Sequence, residues 1–401
     1  MGVNVLLYFG WEIESSKVSV FESILPAAYL FLFLFSIKYI RSNKKELYVK
    51  KTEEFKLLVL IILLVIFQKY MGQTGFFSTI MNCLILPVMV SIIMPLTSSK
   101  SYSPSILNLT FNLKKILFAF FLVECFWAIL ERVTLKNIFP FADGGNLEKL
   151  AFQVETAEFR STALVNHPLQ NALCVSIIMS FILISSLKPK QKYLLWSLGF
   201  ASILSFNTRS SIFGWGILFL LYLAHSLFLN KYKSVREKAN LFYFTIGGAI
   251  IVVLLMFSLN WGQRIAKMGL FDESSSKARI QILNVFNYYS WDQFLWGLSA
   301  AETRSMVDKV EVAIIENFWL IYLFRYGLIF TILLAIFFYK LFARLLLGYS
   351  FFQRLFVVSC FLLISSTNNS LAVASPAMAL FIICCYLFNP NLEQINIKKI
   401  S

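Results

Sequence analysis

The chain has 401 residues, 58% apolar and only 14% charged, with a mean hydropathy of +0.72, whereas soluble domains carry about 25% charged residues. The net charge of +15 invites a nucleic-acid reading, but the basic residues sit mainly in short connections between apolar runs, as cytoplasmic loops of a membrane protein do. A soluble enzyme and a nucleic-acid binder are thereby excluded, and an all-α polytopic integral membrane protein is expected, one membrane domain over residues 1–401.

A spanning helix needs about 20 mostly apolar residues. Met1 to Val20 has no basic start and is interrupted by Glu12 and Glu14, so it does not read as a cleavable leader. The first predicted span is Phe21 to Ile40, and Arg41, Lys44, Lys45, Lys50, Lys51 and Lys56 after it predict an inner loop and an external amino terminus. Spans follow at Leu57 to Phe67 and Phe77 to Leu96, the second bent at Pro87. Lys100, Lys114 and Lys115 lead to a span at Ile116 to Leu130, inside which Glu124 must be paired or functional.

Glu131 to His167 reads as an external loop. Leu169 to Leu187 descends to Lys188, Lys190 and Lys192; Tyr193 to Phe206 returns to the turn Asn207-Thr208-Arg209-Ser210-Ser211; Ile212 to Leu229 goes back inward. Pro168 suits the first turn of its helix, where a missing N–H is not needed, with Asn166 or His167 as the cap. His225 reads as an interior histidine. Leu241 to Leu259 climbs to the longest polar run, Trp261 to Asn317, expected to be a large external loop with short helices. Phe318 to Tyr339, Leu355 to Ser366 and Leu371 to Phe388 complete eleven predicted spans, with ten to twelve acceptable. The six cysteines lie in or beside apolar spans without metal-ligand spacing and read as core residues.

No Gly-rich phosphate loop, GxSxG or HExxH occurs, and the chain has two histidines, so ATP hydrolysis, serine hydrolysis and zinc chemistry are poorly supported. What remains is arginine near the predicted external ends of spans: Arg160, Arg209, Arg264, Arg279 and Arg325. A guanidinium at membrane depth needs a partner, and its planar fork matches phosphate oxygens bidentately. Individually each is compatible with an ion pair or with snorkelling to the interface; together they point to an anionic lipid headgroup. Glu316, beside Asn317 at the edge of a span, is read equally as a general base or an ion-pair partner.

Several of these segments together resemble the O-antigen ligase and polymerase superfamily. Arg160-Ser161-Thr162 with Asn166-His167-Pro168 is similar to its entry to a span, with Ala163 and Leu164 where glycine is usual. Thr208-Arg209-Ser210-Ser211 is similar to its arginine turn, Ala278-Arg279-Ile280 to the arginine of its large loop, and Trp296-Gly297-Leu298 to that loop's glycine motif. Glu316-Asn317-Phe318-Trp319-Leu320 and Arg325-Tyr326-Gly327-Leu328-Ile329 resemble its signature after the loop, Phe330 replacing a final glycine.

The resemblance implies a glycosyltransferase-C-like, metal-independent membrane enzyme of the bacterial inner membrane, without a cofactor and with its active site facing the periplasm. Its donor and acceptor would be undecaprenyl-pyrophosphate-linked oligosaccharides, its surroundings membrane lipid, and a chain-length regulator protein a further partner. Ligases of the superfamily carry a histidine before the signature asparagine; here Glu316 stands there and the large loop has no histidine, which favours a polymerase over a ligase, while a polyprenyl-linked glycan flippase is the rival from another class. On that basis Arg209 and Arg279 are expected to bind the donor pyrophosphate and Glu316 to activate the acceptor. Arg160, His167, Arg264, Asn317 and Arg325 are expected to complete substrate binding.

Overall fold

In the computed structural model of the chain, the described residues are 104–137, 159–164, 168–229, 234–258, 280–312, 315–367, 371–372 and 377–391, with Leu60, Ile61, Leu63, Leu64 and Trp261. The regular structure among them is all helical: α1 (Pro104–Thr134), α2 (Pro168–Ile184), α3 (Pro189–Phe206), α4 (Arg209–Ala224), α5 (Val235–Ser258), α6 (Trp291–Trp296), α7 (Ala300–Val310), α8 (Phe318–Leu345), α9 (Phe351–Ser366) and α10 (Ala377–Leu387). A π turn, His225–Leu229, prolongs α4, and a 3₁₀ turn, Ile282–Asn287, precedes α6. Two of these helices, Arg209–Leu229 and Phe318–Leu345, are long and apolar enough to cross a membrane, and α2, α9 and α10 are shorter apolar helices. An all-helical structure of this kind fits a helical membrane protein. The spans predicted before residue 100, with the bend at Pro87, lie outside the described residues.

The chain divides into two compact units. In the first, α1, α3, α4 and most of α9 gather around α2, whose residues Asn171 to Leu183 are all buried, and α5 stacks Phe244 on Tyr193 of α3. A helix apolar on every side belongs at the centre of a bundle, and its neighbours are drawn close. Trp215 of α4 donates from Nε1 to Ser176 Oγ at 2.8 Å, Gln353 of α9 donates to Ile184 O at 3.1 Å, and Cys360 Sγ lies 3.6 Å from Ser176 O. Gly199 of α3 leaves no room for a larger residue, since a Cβ there would stand 2.6 Å from the Met179 side chain. His225 stacks on Phe352 with ring centroids 3.4 Å apart, both rings half-buried. The described cysteines, Cys125, Cys174, Cys360, Cys384 and Cys385, are buried free thiols.

On α1 the buried residues Leu117, Phe121, Glu124, Cys125, Ala128, Glu131 and Arg132 recur at the 3–4 residue spacing of one helix face. Opposite them Ile116, Phe126, Leu130 and Val133 are exposed and apolar, the surface a lipid-facing helix presents. This helix extends the predicted span at both ends, starting at Pro104 instead of Ile116 and ending at Thr134 instead of Leu130. Likewise α5 begins at Val235 and takes in Arg236 and Lys238, and α8 continues past Tyr339 through Lys340 and Arg344. The reason is common to all three: polar and basic residues mark where hydrocarbon stops, but they are good helix formers and do not end a helix. Conversely α10 starts only at Ala377, after Pro376, with Leu371–Ala372 in a separate turn.

The second unit is built on α8 and the short helices before it. Its core joins Ile282 and Val285 of the 3₁₀ turn, Phe294 of α6, Leu298, Met306 and Val310 of α7, Val312, and Phe324 of α8. Each short helix starts with a capping box. Ser290 pairs reciprocally with Gln293, and Ser299 with Glu302, which satisfies N–H groups that isolated helix ends leave open. Short helices were expected in this region, and the described part of it contains them.

Candidate functional site

The polar features of the first unit concentrate at one end of its helices, where α3 turns into α4. Asn207 follows the last residue of α3 in the left-handed conformation (φ 53°, ψ 40°), and its N–H bonds to Leu204 O at 3.1 Å. Asparagine tolerates that conformation better than most residues. Thr208 then occupies the N-cap position and α4 opens at Arg209. Two residues thus reverse the chain and leave a half-buried arginine on the first turn of an apolar helix.

Against this turn lies the short segment Phe159 to Leu164, held through backbone groups of five of its six residues. The Ser161 N–H donates to Ser205 O at 3.2 Å. Phe159 O accepts from Arg132 Nη1 at 2.7 Å and from Asn207 Nδ2 at 3.4 Å. The Asn171 side-chain amide of α2 donates to Thr162 O. Most of the hold comes from a single oxygen, Glu131 Oε2, which accepts from Ser161 Oγ at 2.6 Å, Thr162 N at 2.9 Å and Ala163 N at 3.0 Å. Seven residues earlier on the same face of α1, Glu124 Oε2 accepts from Leu164 N at 3.2 Å. Two buried carboxyl groups thus clamp a stretch of chain that has no regular secondary structure.

The clamp has a consequence for the arginines. Arg160 sits between Phe159 and Ser161, both bonded to the α3–α4 turn, and Arg209 is four residues beyond Ser205. Two arginines 49 positions apart in sequence therefore emerge from backbones joined at the same end of one helical unit, both half-buried. Glu124, read as paired or functional, is paired through Oε2, while its buried Oε1 has no hydrogen-bond partner among the described residues. Ala163 takes φ 35°, in the region that favours glycine, and it is one of the two positions at which the family resemblance expects glycine.

In the second unit, Asn317 is the N-cap of α8. Its Oδ1 accepts from Trp319 N at 2.9 Å and Leu320 N at 3.2 Å, and Glu316 precedes it, half-buried. Arg325 comes just before a break in α8, where Gly327 has φ 83° and ψ 172°. The break and the loop glycine of the resemblance belong to one feature: Leu298 N–H donates to Phe324 O at 2.7 Å, and Gly297 (φ 91°) lies so close that a Cβ there would be 2.7 Å from Arg325 O. Thr331 Oγ1 donates to Gly327 O at 2.8 Å, the usual bond of a helical threonine to the carbonyl four residues before it.

Arg160 and Arg209 are thus brought together, and Glu316, Asn317 and Arg325 gather at one end of α8 in the other unit. His167, Arg264 and Arg279 lie outside the described residues. Among the described residues no three His, Cys, Asp or Glu side chains gather as a metal site. The residues that sequence reasoning missed are Glu131, Arg132 and Asn171. Glu131 looks like the first residue of a loop because the apolar run ends before it; its spacing of seven from Glu124 was the available signal, placing both on one helix face. No family model matches the chain, and no curated protein matches it in sequence.

Proposed function

We propose that the chain is a membrane-embedded polysaccharide polymerase that transfers a glycan from a polyprenyl pyrophosphate carrier to a lipid-linked repeat unit. The finer architecture of about eleven spans in a glycosyltransferase-C-like arrangement, with the site on the periplasmic side, belongs to the same proposal. The observation that carries it is the hydrogen bonding of the residues on either side of Arg160, Phe159 and Ser161, to Asn207 and Ser205 shortly before Arg209 at the first turn of α4. Two guanidinium forks next to a helix N-terminus suit a diphosphate, which offers several oxygens and negative charge at a membrane surface.

As the bond from sugar C1 to the diphosphate oxygen breaks, negative charge grows on the leaving group. Fixed arginines in a partly dehydrated site stabilise that charge without reorganising. The acceptor hydroxyl forms the new bond to C1 and loses its proton to a general base.

The test uses the purified full chain in proteoliposomes with a lipid-linked repeat unit. Removing one such donor costs about 10²–10³ in rate in comparable sites, so Arg209→Ala should lose polymer by at least that factor while unfolding at the wild-type temperature. Chains of normal length from a folded Arg209→Ala protein overturn the assignment. Movement of the intact repeat unit across the bilayer without bond formation would replace it with the flippase reading.

A further inference from the structure

We propose that the 3₁₀ turn and α6 form a wedge set into the membrane on the Asn317 side of α8, with Ile280, Leu283, Trp291 and Trp296 lying against lipid at the boundary between headgroups and acyl chains. This rests on α8 being a membrane span, not on the polymerase reading.

The first argument is depth. α8 carries Lys340 and Arg344 towards one end, and Leu328 to Tyr339 has no charge. Hydrocarbon thickness corresponds to about 20 helical residues. Counting back that far from Arg344 reaches Arg325; counting from Lys340 reaches Ile321. On either count the backbone from Arg325 to Gly327 lies at or inside the far boundary of the hydrocarbon. The end of α6 shares that depth, because Leu298 N–H bonds to Phe324 O and Gly297 abuts Arg325 O. A segment touching α8 there enters the bilayer edge with it.

The second argument is the break itself. An opened helix exposes carbonyls, and at this depth water is not at hand to satisfy them. The chain meets one of them internally, Phe324 O with Leu298 N–H, so the break can stand at that depth without water.

The third argument is the face. Trp291 is 79% exposed, Ile280 65%, and Leu283 and Trp296 51% each. Tryptophan is concentrated at membrane interfaces, where its ring suits an apolar layer beside a wet one. The module's charges divide accordingly: Glu302, Arg304, Asp308 and Lys309 are all on α7, whereas α6 has Asp292 alone and the 3₁₀ turn none. The exposed apolar residues and most of the charges are thus carried by different elements, which suits the first to lipid and the second to water.

The experiment uses the full chain in phosphatidylcholine–phosphatidylglycerol vesicles whose acyl chains are brominated near the headgroup. Alkaline carbonate extraction comes first: release from the vesicles overturns the reading of α8 as a span, and the wedge with it. For retained protein, tryptophan fluorescence is compared between wild type and the Trp291→Phe/Trp296→Phe variant, which removes two of the chain's eight tryptophans. The expected result is a bromolipid-quenched component in the wild type that is lost in the variant, with equal iodide quenching of the two proteins. Iodide quenching of that component, or no difference with either quencher, overturns the wedge. The first outcome would put the face in water; the second would put it under a second copy or another protein. Polymer synthesis can succeed or fail independently of all three.

Discussion

Glu131 provides the most direct test of how the Arg160 segment is held. Its carboxylate is fully buried, and one oxygen takes the Ser161 hydroxyl and the N–H groups of Thr162 and Ala163. In Glu131→Ala those three donors lose their shared acceptor, and a buried donor left unsatisfied costs about 1–3 kcal/mol. Simple addition gives roughly 3–9 kcal/mol, but groups in one network are not additive. The lower part of that range, roughly 3–5 kcal/mol, is the expected loss, comparable to removing one side of a buried ion pair. Glu131→Gln keeps an acceptor and loses only the charge assistance, so it should cost about half as much. The assay is denaturant unfolding of the full chain in detergent, followed by labelling of the buried thiols Cys125, Cys174 and Cys360 in the same unit. A Glu131→Ala protein within about 0.5 kcal/mol of wild type, the size of an inconsequential surface change, would refute the clamp. So would equal losses for Ala and Gln.

Three further outcomes follow from the second unit. Gly327→Ala forces a side chain into a left-handed backbone, where its Cβ would meet Leu295 O and stand 2.6 Å from Gly297 N; it should cost roughly 3 kcal/mol or more in the same unfolding assay, beyond ordinary αL strain of about 1–2 kcal/mol. Asn317→Ala removes the α8 cap and should cost about 1 kcal/mol, while Asn317→Ser retains a cap and most of the stability; polymer synthesis by a stable Asn317→Ser protein would show the residue acting as a cap, and its loss would show a direct role in substrate binding. Bonds from the Ser299 backbone and hydroxyl hold the Glu302 carboxyl below its ordinary value. A lowered folded-state value means that the capping contribution is present above the unfolded value of about 4.3 and fades as pH falls through the folded one. Amide exchange in the first turn of α7, compared with α8 and corrected for intrinsic rates, should therefore accelerate selectively below that pH; uniform protection would contradict it.

Helices were legible wherever apolar runs were long, because hydropathy reports the hydrocarbon a segment is suited to. Their ends were not, because a lysine or glutamate that leaves the hydrocarbon has no cause to leave the helix, as Glu131 in α1 and Lys340 in α8 show. The turn at Asn207 was legible from residue type, since two apolar runs separated by Asn-Thr must reverse there. Gly297 and Gly327 could each be picked out as motif glycines. Their mutual contact could not, because nothing in a 30-residue separation says that two positive-φ glycines face each other.

The same physical device supports the polar end of each unit, and it separates the roles of the residues there. In the first unit an irregular segment is made affordable by carboxylates from α1; in the second an irregular break is satisfied by backbone from the α6–α7 connection. In each case the backbone is fixed beside a half-buried arginine, Arg160 or Arg325. A role in folding therefore belongs first to Glu131, Asn171, Gly297 and Gly327, whose replacement should act on stability. A role in chemistry belongs first to the arginines those residues position, whose replacement should act on turnover. Glu124 falls between the two sets. Its Oε2 serves the same clamp, but one donor instead of three depends on it, so the fold leans far less on its charge than on that of Glu131.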